Sequence, residues 1–409
     1  MPRLPRFLRI LLKVVLAIVA LIVVFIGVTA LTAPGRSGLD GAEERAEAWK
    51  QGARLRDLAD RVGVRFGSAV MVRDIRADPE YAPVLVREFN SVTPFVEMKW
   101  GNIHPEGDRY DFEEADELVA LAEAHGMRVR GHTLVYGQCV DPPNPEYLLA
   151  MTDPEALRAE MKEHIQTVAG RYADRIEAWD VVNEPLLAFG DMSKGDGLSQ
   201  HVFSRVLGPG YIAEALRMAR EVDPDAQLFL NEFGALTPGP KQERYYRLVK
   251  DLLDEGAPLD GVGFQGHVLP LFGTPDPPRE QIEATLRRFA ALGVAVEITE
   301  LNVFTRTLKK VFALGLTYDE AAELRRQAEV YVTVTEACLA VPECQGVTLW
   351  TFTDRYPTTI ETLTRLEDIP LIFDNDYQPK PAAFALRERL AAATPRRPEA
   401  VPEPAFEAE

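Results

Sequence analysis

Eight apolar, strand-like runs alternate with helix-period segments over roughly 330 residues, and this alternation limits the fold more than any other feature of the chain. The runs are SAVMV (68–72), NSVTPFVEM (90–98), RVRGHTLV (128–135), EAWDVVNE (177–184), QLFLNEF (227–233), GVGFQGHV (261–268), VAVEITEL (294–301) and GVTLWTF (346–352). Between most of them lie segments such as DELVALAEAHG, PEALRAEMKEHIQTVAGRYA and REQIEATLRRFAALG, many ended by glycine or proline. Strands joined through helices run parallel, with helices covering the sheet. Eight is the barrel number, so the expected class is α/β, a (β/α)8 TIM barrel over residues 55–392. A doubly wound open sheet is the alternative that the same alternation allows.

The N-terminus does not belong to that pattern. Residues 1–13 carry Arg3, Arg6, Arg9 and Lys13. The next twenty, VVLAIVALIVVFIGVTALTA (14–33), carry no charge and are long enough to cross the hydrocarbon core of a bilayer. They read as one N-terminal transmembrane helix, with the basic flank cytoplasmic and the rest of the chain on the far side. Cleavage after Val28-Thr29-Ala30 is the competing reading and would release a secreted chain, although the apolar run exceeds a usual signal core. Residues 34–54 read as a linker and leading helix. Residues 393–409, rich in Pro and Glu, read as a disordered tail.

A formal net charge of −18 argues against nucleic acid as a partner. Cys338 and Cys344, in CLAVPEC, are either a short disulfide loop in an oxidising compartment or two buried thiols. Cys139 is left over. GVGFQG (261–266) fits a dinucleotide-binding pattern, but HVLPLFGTPDPP follows it and cannot supply the helix that such a site requires. The six histidines show no metal-ligating spacing. No cofactor and no metal are expected.

The informative polar residues end strands, where barrel enzymes hold their active sites. Strand three carries His132. Strand four ends in Asn183-Glu184, strand five in Asn231-Glu232, strand six near Gln265 and His267, strand seven in Glu300-Leu301-Asn302, and strand eight near Trp350 and Asp354. Any one of them could be a solvated strand end. Together they describe a pocket that bonds many hydroxyls and stacks a ring. Glu184 and Glu300 are the natural pair for glycoside hydrolysis, which needs one protonated and one ionised carboxyl.

These residues lie in motifs that resemble a known family. WDVVNEP (179–185), GVGFQGHV (261–268), GVAVEITELNV (293–303) and VTLWTFTD (347–354) are similar to motifs of the glycoside hydrolase family 10 endo-β-1,4-xylanases. REFNSVTP, RGHTLV, VFSRVLGPGYI and PLIFDNDYQPKPAAFA match in the same order, so the resemblance covers about residues 55–392. It implies the same barrel and a retaining mechanism on a polysaccharide or oligosaccharide. By this resemblance Glu184 is the general acid/base and Glu300 the nucleophile. Glu300 would attack the anomeric carbon while Glu184 protonates the departing oxygen, then activates water. Asn183 matches the amide that bonds the sugar 2-OH. His267 and Gln265 match groups beside the nucleophile, and Asp180 an acidic neighbour that helps set the proton inventory. For Asp180 and His267 a buried structural role is the alternative. His132, Lys99 and Trp350 match sugar-contacting residues, and Tyr136 lies beside them. CLAVPEC resembles a disulfide common in the family.

The chain also departs from the family. Phe95 and Val96 stand where the family usually has Glu-Asn, which binds the next sugar toward the non-reducing end. Tyr136-Gly137 stands for Trp-His, Thr358 for a second tryptophan, and Asn231-Glu232-Phe233 for Asn-Asp-Tyr. Phe95, Val96, Gly137 and Thr358 fall on the glycone side. The sequence therefore supports a membrane-anchored xylanase with a rebuilt glycone subsite, or a retaining β-glycosidase for another glycan. A non-catalytic carbohydrate-binding barrel is the third reading. Glu97 is expected to be a structural partner.

Overall fold

The computed structural model describes residues 42–139, 142–187, 197–269, 276–305, 319–356 and 368–396. The chain divides into two units, Met1–Gly52 and Ala53–Glu409. The described part of the first is the helix Ala42–Gln51, closed by a bond from the Gly52 N–H to the Trp49 carbonyl. The proposed anchor at 14–33 and most of the Pro/Glu-rich tail lie outside the described residues. Among the described residues no helix is long and apolar enough to cross a membrane.

The second unit is a closed parallel barrel. Its strands are β1 (Arg65–Val70), β2 (Ser91–Pro94), β3 (Arg128–Val135), β4 (Ala178–Asn183), β5 (Gln227–Glu232), β6 (Gly261–Phe264), β7 (Ala295–Val303) and β8 (Cys344–Leu349). Each pairs in parallel with the next, and β8 returns to β1 through Arg65 opposite Gly346. This closure rules out the open doubly wound sheet. A two-residue strand, His267–Val268, pairs with Asn302 and Val303 and extends the rim beyond β6.

Local chemistry explains the helical cover. The helix Pro154–Arg171 starts where the Asp153 side chain accepts the Glu155 N–H at 2.9 Å, with Pro154 at the first helical position. The helix Glu320–Leu339 is capped likewise by Asp319, which accepts the Ala322 N–H. Leu157, Met161, Ile165 and Val168 of the former face inward and are fully buried. Each such side chain contributes about 2 kcal/mol by leaving water. Cys338 and Cys344 form a disulfide between the end of the Glu320–Leu339 helix and the start of β8.

Several strands end earlier than the sequence expectation, β6 at Phe264 and β8 at Leu349 among them, and for the first two the reason is one residue. β1 stops at Val70 and β2 at Pro94. Glu97 is buried between them. It accepts the Val72 N–H at 2.7 Å and the Val96 N–H at 3.1 Å. The first bond caps the helix Val72–Ala77, so Met71 and Val72 turn out of the strand. The expected structural role of Glu97 is this cap.

Charged residues also cross the barrel interior. Arg130 of β3 is buried and binds Asp180 of β4 at 2.5 Å and Glu297 of β7 at 2.7 Å. Its guanidinium lies 4.4 Å from the Phe229 ring centroid. Burial alone would push the Asp180 carboxyl up, but Arg130 and His132 hold it below the usual range. Arg130, His132 and Asp180 thus form a fixed polar floor beneath the rim.

Candidate active site

Glu300 projects from β7 and is 4% exposed. Its Oε1 accepts from Asn231 Nδ2 at 2.7 Å, and its Oε2 lies 3.2 Å from His267 Nε2. The other ring nitrogen of His267 lies 3.0 Å from Asn302 Oδ1. Burial disfavours charge on this imidazole, yet the bond and charge of Glu300, with Asn302, outweigh burial and raise its proton affinity. A protonated His267 can donate through both nitrogens, which fixes the orientation of the Glu300 carboxyl.

Glu184 follows β4 directly, at a φ of 51°, in the left-handed region. A non-glycine residue there stores strain that its surroundings must offset. The turn is pinned on several sides. The Glu184 N–H donates to the Asn231 carbonyl at 2.8 Å, and Gln138 Nε2 donates to the Glu184 carbonyl at 2.9 Å. The Leu186 N–H donates to the Glu232 carboxyl at 3.0 Å. The Glu184 carboxyl accepts from Gln265 Nε2 at 2.8 Å and from the Tyr136 hydroxyl at 2.7 Å.

A short chain of amides joins the two carboxyls. Asn231 Nδ2 donates to Glu300 and also to Asn183 Oδ1, at 2.9 Å. Gln265 Nε2 spans Glu184 and Asn183 Oδ1, the latter at 3.5 Å. Thr299 Oγ1 donates to Asn231 Oδ1 at 2.6 Å, which fixes the amide's orientation. Gly263 on β6 leaves the space that Asn231 fills, since a Cβ there would stand 2.3 Å from Asn231 Oδ1. That contact accounts for one glycine of the GVGFQG motif.

The remaining sequence candidates lie beside this array. Trp350 follows β8. Its ring is 5.5 Å from His132, 6.3 Å from His267 and 4.5 Å from Phe95, centroid to centroid. Lys99 Nζ lies 5.8 Å from the Trp350 centroid and 5.4 Å from that of Phe95. Phe95 is buried under Trp350 with Ala69, and Met71 and Val96 pack against them. The Phe95-Val96 pair therefore makes an apolar support at this rim. Thr358 lies outside the described residues. Asp180 bonds Arg130 and His132, with His132 Nδ1 2.9 Å from its Oδ2. That geometry favours the structural alternative, in which Asp180 orients His132.

Several participants were not singled out from sequence. Asn231 bridges Glu300 and Asn183, and Glu232 caps the turn after Glu184; in sequence both show as a polar strand end and as part of a departure from the family motif, with no role attached. Burial pushes the Glu232 carboxyl up to about 8, against the pull of Lys241, whose Nζ is 2.8 Å away. Gln138 carried no motif signal. The signal for Arg130 and Glu297 was charge in the middle of otherwise apolar strands.

Gly137 is a further case. A Cβ on it would stand 2.0 Å from Nδ1 of His201, so the His201 ring fills the volume beside it. Burial pushes the His201 imidazole down to about 4. Unfolded, the same ring takes up a proton near pH 6.5. Its contribution to stability is therefore full above about 6.5 and is lost as pH falls toward 4. Relative to His201→Gln, the native protein should lose about 3 kcal/mol of unfolding free energy between pH 7 and pH 4. Urea unfolding of both proteins across that range measures this, and parallel curves would exclude it.

A model of the Glycosyl hydrolase family 10 matches residues 54–389. The chain is 35% identical over 339 residues to endo-1,4-beta-xylanase B of Thermotoga neapolitana, covering 82% of this chain and 91% of that protein. It is 38% identical over 311 residues to a beta-1,4-xylanase of Dictyoglomus thermophilum, covering 75% and 83%. Among solved structures, native xylanase 10B from Thermotoga maritima superposes with a TM-score of 0.73 at 33% identity, over 82% of this chain and 98% of that one. Xylanase 10B from Thermotoga petrophila, solved with xylobiose, gives 0.73 at 32% identity over 83% and 98%.

Proposed function

The chain belongs to glycosyl hydrolase family 10, and from that premise we propose how its residues divide the work. It is a glycoside hydrolase of the endo-1,4-β-xylanase type. Glu300 is the nucleophile and Glu184 the acid/base. The observation that carries this is the contrast between the two carboxyls along one amide chain. Glu300 faces an imidazole whose proton affinity is raised and which can carry a positive charge, whereas Glu184 sits on a strained turn with neutral donors only.

In the first step Glu300 forms a bond to the anomeric carbon as the glycosidic C–O bond breaks. The proton of Glu184 passes to the leaving oxygen. In the second, Glu184 takes a proton from water, the water oxygen attacks the anomeric carbon, and Glu300 is released. Asn183 lies beside both carboxyls, where it can bond the 2-OH of the reacting sugar. His132, Lys99 and Trp350 bind that sugar from the other side. The buried Phe95 and half-buried Val96 favour a second reading for the glycone side, a retaining β-glycosidase for a glycan other than plain xylan.

Residues 14–33 anchor the enzyme in the membrane, with the barrel periplasmic or extracellular. The basic flank and uncharged span support this, and the Cys338–Cys344 disulfide suits an oxidising compartment. Early-time NMR of products from a β-glycan panel tests the enzymatic reading. The expected first product of xylan is the β-anomer, and an α-anomer would overturn double displacement.

A further inference from the structure

Three donors meet the Glu184 carboxyl: Gln265 on Oε1, and on Oε2 the Tyr136 hydroxyl at 2.7 Å and, more distantly, Gln138 Nε2 at 3.5 Å. The tyrosine bond is the shortest of them. It comes from a position where the family resemblance leads one to expect tryptophan. We propose that Tyr136 is a catalytic residue, one that hydrogen-bonds the acid/base carboxyl and weights it toward the ionised form that activates water in the second step. The proposal rests on the reading of Glu184 as acid/base.

The surroundings hold the phenol in place. Asn144 Nδ2 donates to the carbonyls of Tyr136 and Gly137, at 2.9 and 3.1 Å, so the backbone there is fixed. Gly137 admits the His201 ring, which a side chain at 137 would displace. The His201 N–H bonds Ser204, and Ser199 of the same segment donates to Gln138 Oε1 at 2.8 Å. Gln138 in turn holds the Glu184 carbonyl. The changes at 136 and 137 therefore act together. One brings a hydroxyl to Glu184, and the other opens the space for the segment that braces it.

The chemistry follows from the donor rules. A donor on a carboxylate favours its charged form. Burial, and the nearby charge of Glu184, push the Tyr136 phenol well above its ordinary range, so it keeps its proton and stays a donor. When Glu184 carries the proton, the same hydroxyl oxygen can accept instead, because a phenol does both. Tyr136 breaks no bond of its own. It shifts the balance between the acid form needed first and the base form needed second.

The test uses the full chain and aryl β-xylobiosides. In Tyr136→Phe the alkaline limb of kcat/KM should move up by about one pH unit, since Glu184 then keeps its proton longer. With a good leaving group, where the second step limits, kcat should fall about tenfold. With a poor leaving group it should change little. Site-specific 3,5-difluorotyrosine at 136 keeps the shape but is a stronger donor, and should move the limb down. It decides the matter if the Phe variant does not fold. A limb that stays put in the folded variants overturns the proposal, whatever the loss of rate. The same shift is read without substrate from the 13C-labelled Glu184 carboxyl, assigned through Glu184→Gln. If the native protein hydrolyses xylobiosides and that titration does not move in Tyr136→Phe, the Tyr136 proposal alone falls. If the titration moves but the native protein hydrolyses nothing, the functional reading falls and the catalytic role with it.

Discussion

Replacing Glu300 by glutamine should lower kcat on an aryl β-xylobioside by at least about 10⁴-fold, as loss of a nucleophile does in other covalent mechanisms. The substitution keeps size and one acceptor oxygen. Asn231 Nδ2 can still donate to that oxygen, so the amide chain to Asn183 survives. What disappears is the negative oxygen that attacks the anomeric carbon. The loss should be the same for good and poor leaving groups, because no glycosyl-enzyme forms with either. His267 gives a second readout. Its raised proton affinity depends largely on Glu300, and without that charge burial opposes only the weaker pull of Asn302 and Glu184, so the affinity falls. A histidine with a raised folded pKa adds stability that is full below about pH 6.5 and is lost as pH rises through the folded value. Glu300→Gln should therefore be more destabilised at pH 5 than at pH 8. Phenolate release and paired thermal melts measure both effects. Near-native turnover would remove Glu300 from the reaction.

What the sequence makes legible is what is local. Each strand's apolar run and the polar residue that ends it lie within a few positions, so the eight strands, Glu184, Glu300 and Trp350 can be read along the chain. The less legible features depend on pairing between segments far apart. Tyr136 and Glu184 are 48 positions apart, and Asn231 and Glu300 are 69. Only the closed barrel and its register bring them within hydrogen-bond reach. Strand ends shift for the same reason: Glu97, from the segment after β2, caps the helix after β1 and cuts both strands short. Gly137 reads as a lost side chain in sequence. In the fold it is the space for His201, which belongs to the segment after β4. Phe95 read as a missing sugar partner, and in the fold it also supports Trp350.

Glu184→Gln should separate the two steps that Glu300→Gln abolishes together. With a phenol of high pKa as leaving group, the first step needs a proton from Glu184, and kcat/KM should fall by about 10³-fold. With a dinitrophenolate the bond breaks without that proton, so the first step should lose little. The second step still lacks its base, and glycosyl-enzyme should accumulate on Glu300 as a burst of phenolate and a mass increase. Azide, which attacks without deprotonation, should restore turnover and yield a β-glycosyl azide. The folded site should tolerate the change. Gln265 can still donate to the remaining oxygen, and Tyr136 can turn to accept from the new amide. The strained φ of 51° at this position is a backbone property, which glutamine meets as glutamate does. Equal losses for both leaving groups, with no azide rescue, would move the acid/base role away from Glu184. In that case Glu232 would be the carboxyl to examine next, since it caps the same turn and burial raises it to about 8.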